Sequence, residues 1–182
     1  SGFLMPSFQN SNNSGTSLQI PYYKVISDRK DLTFSPRLFF DNEALIQTEY
    51  RQANKHSDLI LDFSIYGDGN ETKNHFFADI KSKNQNKTLD FHIEKVTNDS
   101  YLKSQNINSP IINDYSSLNS YFTYGSDDNN SSLNISFEVY EDLNKNKSDR
   151  FEYIFPNFEY EKNLNASDEI SGELTFNSRG YN

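Results

Sequence analysis

The sequence contains no cysteine, so disulfide bonds and thiolate metal sites are excluded within these 182 residues. Positive charge is also scarce, because 17 lysine and arginine residues stand against 26 acidic ones and the formal net charge is −9. A nucleic-acid-binding domain needs a basic surface to displace counterions from phosphates. The charge balance therefore argues against that class of protein.

Long apolar runs are missing as well. No stretch approaches the roughly 18 consecutive apolar residues of a transmembrane helix, so none is predicted. The chain has no signal-peptide pattern and starts with serine in the middle of a strand-like pattern, which we interpret as a processed or excised end. Only 34% of residues are hydrophobic, yet 15% are aromatic, a fraction too high for a typical disordered chain.

What the sequence does contain is period-two alternation in segment after segment. In DLILDFSIY, Leu59, Leu61 and Phe63 fall on one face of a strand, and Asp62 and Ser64 fall on the other. The predicted apolar face contains Leu59, Leu61, Phe63, Leu89, Phe91, Leu133, Ile135 and Phe137. The predicted polar face contains Glu49, Arg51, Asp62, Asp79, Lys81, Asp90, Glu94 and Glu138.

Short polar turns separate these segments, a pattern typical of antiparallel hairpins, and we count about ten or eleven strands. One longer connection, from about residue 97 to 115, interrupts the rhythm. Two all-β architectures fit two-faced strands: an arc of an outer-membrane barrel, or a soluble β-sandwich. Long strands favour the barrel, as do aromatic residues near strand ends that could form interfacial rings, among them Phe39 and Tyr66.

The first hairpin contains a proline in the interior of each strand, Pro6 and Pro21. Proline cannot donate to a sheet ladder and is usually confined to edges, strand starts and bulges. A frayed end strand at Pro6 and a bulge at Pro21 would be the ordinary explanation. A deliberately weakened hairpin is the alternative.

Several stretches resemble the barrel of the lipopolysaccharide-assembly LptD family, also called OstA or Imp. They are SGFLMPSF, then IPYYKVISDRKDLTFSPRLF, then ALIQTEYR, with weaker similarity in DFHIEKVTNDSYLK and FPNFEYEKN. Lys24 stands where the family usually has tryptophan, and Asp28 or a neighbour replaces a usual proline. The resemblance implies that residues 1–182 are the first strands of a transmembrane barrel domain, with a periplasmic jelly-roll domain and the rest of the barrel lying outside this chain.

The resemblance also implies a function and partners. The family inserts lipopolysaccharide into the outer leaflet of the outer membrane of Gram-negative bacteria, without enzymatic chemistry or cofactors. It works with an LptE-type lipoprotein plug inside the barrel and receives lipid from the periplasmic Lpt bridge. Lipid would leave through a lateral gate at the first strands, where Pro6 and Pro21 match family prolines. The polar face would line the lumen, and the apolar face would contact lipid.

The sequence is also compatible with other functions. A secreted β-sandwich that binds glycans through exposed tyrosines is a competing function. Some outer-membrane barrels are hydrolases, but His56, His75 and His92 are scattered and no serine elbow or phosphate loop is present. The segment DLNKNKSDRFEY lacks the glycine and glutamate of a calcium loop, which favours a solvated turn.

Overall fold

The computed structural model describes residues 1–11, 15–40, 43–67, 69, 71–164 and 174–181. These residues form one antiparallel sheet and a four-residue helix, α1 (Tyr101–Ser104). The strands, in chain order, are β1 (Gly2–Phe3), β2 (Ser7–Ser11), β3 (Gly15–Gln19), β4 (Tyr22–Ser27), β5 (Lys30–Phe39), β6 (Ala44–Ala53), β7 (Ser57–Gly67), β8 (Thr72–Asn84), β9 (Lys87–Val96), β10 (Ser117–Asp128), β11 (Ser131–Asp142), β12 (Phe151–Leu164) and β13 (Leu174–Gly180).

The sheet is a meander in which each long strand pairs with its neighbours in the chain. Strands β3 and β4 pair with β5 in one register as far as Val25, after which the register shifts, so they are two parts of a single interrupted strand. Similarly, β1 pairs with β4 and β2 pairs with β3. Counting each interrupted pair once reduces the 13 strands to eleven, in agreement with the number predicted from the turns.

All strands of the described residues belong to this one sheet, and β13 pairs only with β12. The sheet is therefore open, with β1 and β2 at one edge and β13 at the other. The two packed sheets of a β-sandwich do not occur within the described ranges. The predicted all-β antiparallel meander is confirmed, and an open sheet of this kind fits an arc of a larger barrel.

Residues 97–116, here called the 97–116 connection, join β9 to β10 and fold onto the sheet. The connection carries α1, and its Tyr101, Leu102 and Ile107 are at most 1% exposed. They belong to a hydrophobic cluster that includes Phe39, Leu45, Tyr66 and Phe77 of the sheet. Burying these apolar side chains stabilises the connection against the strands.

This packing corrects one expectation. Phe39 and Tyr66 do not take part in an outward-facing aromatic ring, because they are buried at 7% and 5% exposure and their rings contact each other edge to face at 6.0 Å. Alternation alone could not show that a distant connection covers them. Among the described residues, no helix is long and apolar enough to cross a bilayer.

Candidate functional site

The cross-strand register shows that the sheet has one apolar and one polar face. Leu59 pairs with Ile80, Ile80 with Phe91, Phe91 with Phe122, and Phe122 with Phe137. Directly paired residues lie on the same side of a sheet, so this row crosses five strands on one face. The seven residues predicted to contact lipid all lie on this apolar face: Leu59, Leu61, Phe63, Phe91, Leu133, Ile135 and Phe137.

Large side chains on the apolar face are unusually exposed. Phe63 and Phe76, which pair with each other, are 40% and 43% exposed. Other exposed members of this face are Phe34, Leu38, Ile46, Ile65 and Phe137. A continuous exposed apolar surface is costly in water and marks contact with lipid or with another apolar surface.

The opposite face carries the polar residues. Asp31 pairs with Arg51, Asp79 pairs with His92, and Tyr121 pairs with both His92 and Glu138. The eight residues predicted for the lumen lie on this polar face: Glu49, Arg51, Asp62, Asp79, Lys81, Asp90, Glu94 and Glu138.

His92 is the centre of a charged group on the polar face. Its Nδ1 lies 3.1 Å from an Asp79 carboxylate oxygen, and its Nε2 lies 3.0 Å from Glu94. Its ring stacks on Tyr121 with centroids 4.9 Å apart and the ring planes nearly parallel. Two carboxylates and a stacked ring hold the imidazole in one orientation, and this links β8, β9 and β10.

Two residues of the polar face are less exposed to solvent than expected for side chains that line a water-filled lumen. Asp62 is 0% exposed and Glu94 is 8% exposed. The amide of Gln47 donates to both carboxylate oxygens of Asp62 at 3.0 and 3.1 Å, and the backbone N–H of Asn119 donates to Glu94 at 2.8 Å. These two carboxylates are therefore held by protein donors, whereas Arg51 and Lys81 are exposed.

The first two strands are interrupted at the prolines. Residues 4–6 separate β1 from β2, and Ile20 and Pro21 separate β3 from β4. The N–H of Leu4 donates to the carbonyl of Pro21 at 2.9 Å. Two residues that form a hydrogen-bonded antiparallel pair normally exchange two bonds. The second bond would run from the nitrogen of Pro21 to the carbonyl of Leu4, but this nitrogen carries no hydrogen. Pro21 therefore removes a bond within the first hairpin itself.

A third proline lies beside these interruptions. Pro36 in β5 is opposite Ile20, whose N–H donates to the Pro36 carbonyl at 3.1 Å. The return bond is again missing, because Pro36 has no N–H. The missing donors of Pro21 and Pro36 thus lie next to each other on neighbouring strands. The hydrogen-bond ladders on the two sides of the interrupted β3–β4 strand each lack one bond at this position.

Beneath the 97–116 connection lies a buried hydrogen-bond network, the Tyr101 network. The Oγ of Ser64 is 2.7 Å from the hydroxyl of Tyr101 and 2.6 Å from Nδ1 of His75. The Nε2 of His75 lies 3.4 Å from an Asp62 oxygen and makes no hydrogen bond. Burial is the main cause that raises the pKa of Tyr101 to about 12, so its hydroxyl stays protonated at neutral pH.

Further contacts hold the connection to the sheet. Gln47 donates to the carbonyl of Asn108 at 2.8 Å, and Arg37 donates to the carbonyl of Gln105 at 2.5 Å. At the start of the connection, Arg150 donates to Asp99 at 2.8 Å. The connection is therefore attached by polar contacts at its start and near its middle, and by the packing of its buried apolar side chains.

The Tyr101 network combines a serine, a histidine and an aspartate, as hydrolase sites do. Ser64, His75 and Asp62 are each 0% exposed, and Tyr101 covers the serine hydroxyl. A nucleophile must reach its substrate, and this hydroxyl is enclosed by protein. The arrangement fits a structural network that fastens the connection to the strands.

Sequence reasoning did not identify Arg37, Gln47, Ser64, His75 and Tyr101 as members of one site. Alternation places Ser64 and His75 on the polar face, but their contact depends on the register between β7 and β8 and on where the connection folds. Within the described residues no group of three or more His, Asp or Glu side chains is arranged so that it could hold a metal ion. At the turn after β11, the N–H of Asn144 donates to Asp142, as in the predicted hairpin turn.

No family model matches the chain. Similar proteins are nevertheless found, and the three described here are each named LPS-assembly protein LptD. That of Nitrosococcus oceani is 41% identical over 54 residues, covering 30% of this chain and 7% of its own length. That of Paraburkholderia xenovorans is 31% identical over 86 residues, which is 47% of this chain and 11% of the relative. That of Idiomarina loihiensis is 25% identical over 107 residues, 56% of this chain and 14% of the relative.

The chain thus spans between 7% and 14% of the length of these relatives. The similarity is partial and of modest identity, but it recurs in several bacteria under a single protein name. These relatives confirm that the chain resembles the LptD family, as its sequence motifs indicate.

Proposed function

We propose that residues 1–182 are part of the barrel of an outer-membrane protein that assembles lipopolysaccharide at the surface of a Gram-negative bacterium. The similarity to several proteins named LPS-assembly protein LptD is the observation that carries this proposal. The open two-faced sheet supports it, because an arc of long antiparallel strands is what part of a large barrel would provide. The function is transport, and no enzymatic step is proposed.

In this proposal the apolar face contacts lipid and the polar face lines a lumen. The exposed aromatic and aliphatic side chains of the apolar face would be satisfied by acyl chains. The exposed charges of the polar face, such as Arg51 and Lys81, would remain in water. The 97–116 connection folds onto the polar face, so it would narrow the lumen at the end of the strands where it attaches.

The interrupted first strands are proposed to form a lateral gate. In a closed barrel the first strand pairs with the last, and lipid could leave only where pairing is weak. Each missing bond is worth about 1 kcal/mol net, and more where lipid offers no substitute partner. Because Pro21 removes a bond to Leu4, it loosens the first hairpin and lets its outer strand move more easily.

The partners of the complete protein belong to the same proposal. Lipopolysaccharide is the cargo, an LptE-type lipoprotein is the plug within the barrel, and a periplasmic Lpt bridge supplies lipid through a jelly-roll domain. The acidic and basic side chains along the polar face offer hydrogen-bonding groups for the plug or for the polar part of the cargo. No cofactor enters the proposal.

The gate is tested by replacing the two prolines of the first hairpin, with Pro6→Ala and Pro21→Ala in the full-length protein, so that each position carries an N–H. We expect slower appearance of newly made lipopolysaccharide at the cell surface, with barrel assembly and plug binding unchanged. Surface labelling of cells that depend on the double variant measures this rate. Pro156→Ala in β12, a strand proline far from the first hairpin, is the matched control. Normal delivery together with a demonstrably more stable first hairpin would remove the gating role.

A further inference from the structure

A polar cavity lies on the polar face of the first strands, beside the proline interruptions. Its volume is about 370 Å³, and every side chain that lines it is polar or charged. The strands contribute amides and hydroxyls, including Gln9 and Gln19, and the 97–116 connection contributes Asn106 and Asn108. Such a lining can hydrogen-bond a hydroxylated ligand from several directions.

Arg37 is the cation of this cavity, and its charge is not balanced. The residue is only 4% exposed. One terminal nitrogen donates to the carbonyl of Gln105 and the other to the side-chain oxygen of Gln19 at 3.2 Å, but Nε is buried without a hydrogen-bond partner. Within the described part of the chain, Arg37 forms no ion pair with a carboxylate, unlike Arg51, Arg150 and Arg179.

A buried guanidinium without an anion is energetically unfavourable, because burial removes water and nothing of opposite charge replaces it. The lining contains one carboxylate, that of Glu49, and this group lies 3.4 Å from Nε of Arg51. Arg37 therefore remains the group in the cavity that would gain most from an incoming anion. Guanidinium groups bind phosphate and carboxylate through paired N–H donors.

We infer that this cavity is a binding subsite for an anionic saccharide group, a sugar that carries a phosphate or a carboxylate, with Arg37 contacting the anion. The amides of Gln9, Gln19 and Asn106 would contact the sugar hydroxyls. The inference deepens the proposed function, on which it rests, by naming the part of the cargo that would bind next to the proposed gate. The cavity lies next to Pro21 and Pro36, so the anionic sugar would bind close to the strands whose hydrogen bonding is weakened.

Binding is tested directly on the full-length barrel with its plug in detergent micelles, using glucose 1-phosphate as the probe and saturation-transfer NMR as the readout. Glucose and inorganic phosphate are the comparison probes. We expect glucose 1-phosphate to bind more strongly than either. Equal binding of glucose and glucose 1-phosphate would overturn the anion site. Equal binding of inorganic phosphate would overturn the saccharide part.

Variants assign the contact to Arg37. Arg37→Gln should weaken glucose 1-phosphate binding by about tenfold or more, the usual loss for a hydrogen bond to a charged group. Gln9→Glu leaves Arg37 and its bond to Gln105 in place but adds a negative charge to the cavity, so it should weaken binding as well. Arg29→Gln, at an exposed arginine in the turn between β4 and β5, is the matched control and should bind like the parent.

Two outcomes separate this inference from the proposed function. If Arg37→Gln loses binding while lipopolysaccharide still reaches the surface at the parent rate, the cavity binds anionic sugars but has no part in transport, and the inference about the cargo is overturned. If the parent delivers lipopolysaccharide but does not bind the probe, the inference fails and the proposed function stands. Loss of binding and slower delivery together would support both.

Discussion

At the scale of single residues, the Tyr101 network shows how a polar network can hold an apolar connection in place. Tyr101, Ser64 and His75 form a chain of short hydrogen bonds that runs from the connection into β7 and β8. The chain is incomplete at His75 Nε2, which lies 3.4 Å from Asp62 without a hydrogen bond. A partly satisfied buried network contributes less to stability than a complete one, so the Tyr101 network holds the connection against the sheet less strongly than a complete network would.

Removing the Tyr101 hydroxyl should loosen the connection. Tyr101→Phe leaves Ser64 with one partner fewer in a buried site, at a cost of roughly 1–2 kcal/mol. We expect proteolytic cleavage within residues 97–116 of the folded barrel to become about tenfold faster. Tyr115→Phe, a half-buried tyrosine of the same connection, is the control. Equal cleavage rates for the parent and Tyr101→Phe would show that the hydroxyl does not hold the connection.

At the scale of elements, pairing is uneven along the sheet. Strands β7 and β8 pair over eleven successive positions without a register shift. In the first hairpin β1 pairs with β4 at two positions and β2 with β3 at five, with a register change between them. Because cooperative ladders protect their amides, the first hairpin is expected to open more often than the middle of the sheet.

Hydrogen exchange can measure this difference. In the full-length barrel, the amides of Leu4 and Ser17, whose N–H groups point across the first hairpin, should exchange faster than those of Leu61 and Ala78, which lie in β7 and β8. Pro21→Ala restores a donor opposite Leu4 and should slow exchange at the Leu4 amide while leaving Leu61 unchanged. Uniform protection across these four positions would contradict the idea that the prolines weaken the first hairpin.

At the scale of the whole molecule, the two faces of the sheet should respond differently to charge. Phe122 and Thr123 are neighbours in β10 on opposite faces, since Phe122 pairs with Phe91 and Thr123 with Asp90. Phe122→Lys would place a charge in lipid and should destabilise the folded barrel by about 2–4 kcal/mol near the bilayer midplane. Thr123→Lys, beside Asp90 on the polar face, should change stability little.

Reversible unfolding in lipid vesicles gives the two free energies. A loss of stability for Thr123→Lys as large as that for Phe122→Lys would show that the assignment of lipid and lumen is wrong. Asp62 is unsuitable for this comparison, because it is fully buried and bonded to Gln47, so its substitution would disturb the protein interior whichever face meets lipid.

The sequence by itself determined the fold class, the strand number and the two faces. Strand side chains alternate with a period of two, so Leu59 and Asp62 are assigned to opposite faces without any knowledge of their partners. The prolines also act locally, since a missing N–H interrupts a ladder wherever the strand lies. These features depend on near neighbours in the chain, and for that reason they could be read from it.

Only the tertiary structure decided what covers the polar face and which residues meet there. Tyr101 reaches Ser64 across 37 positions of sequence, and Arg37 reaches Gln105 across 68. Such contacts depend on where the 97–116 connection folds, and burial of Leu102 and Ile107 against Phe39 and Tyr66 drives that folding. Hydrophobic burial is non-directional and acts between distant segments, so no local pattern could reveal the Tyr101 network or the cavity around Arg37.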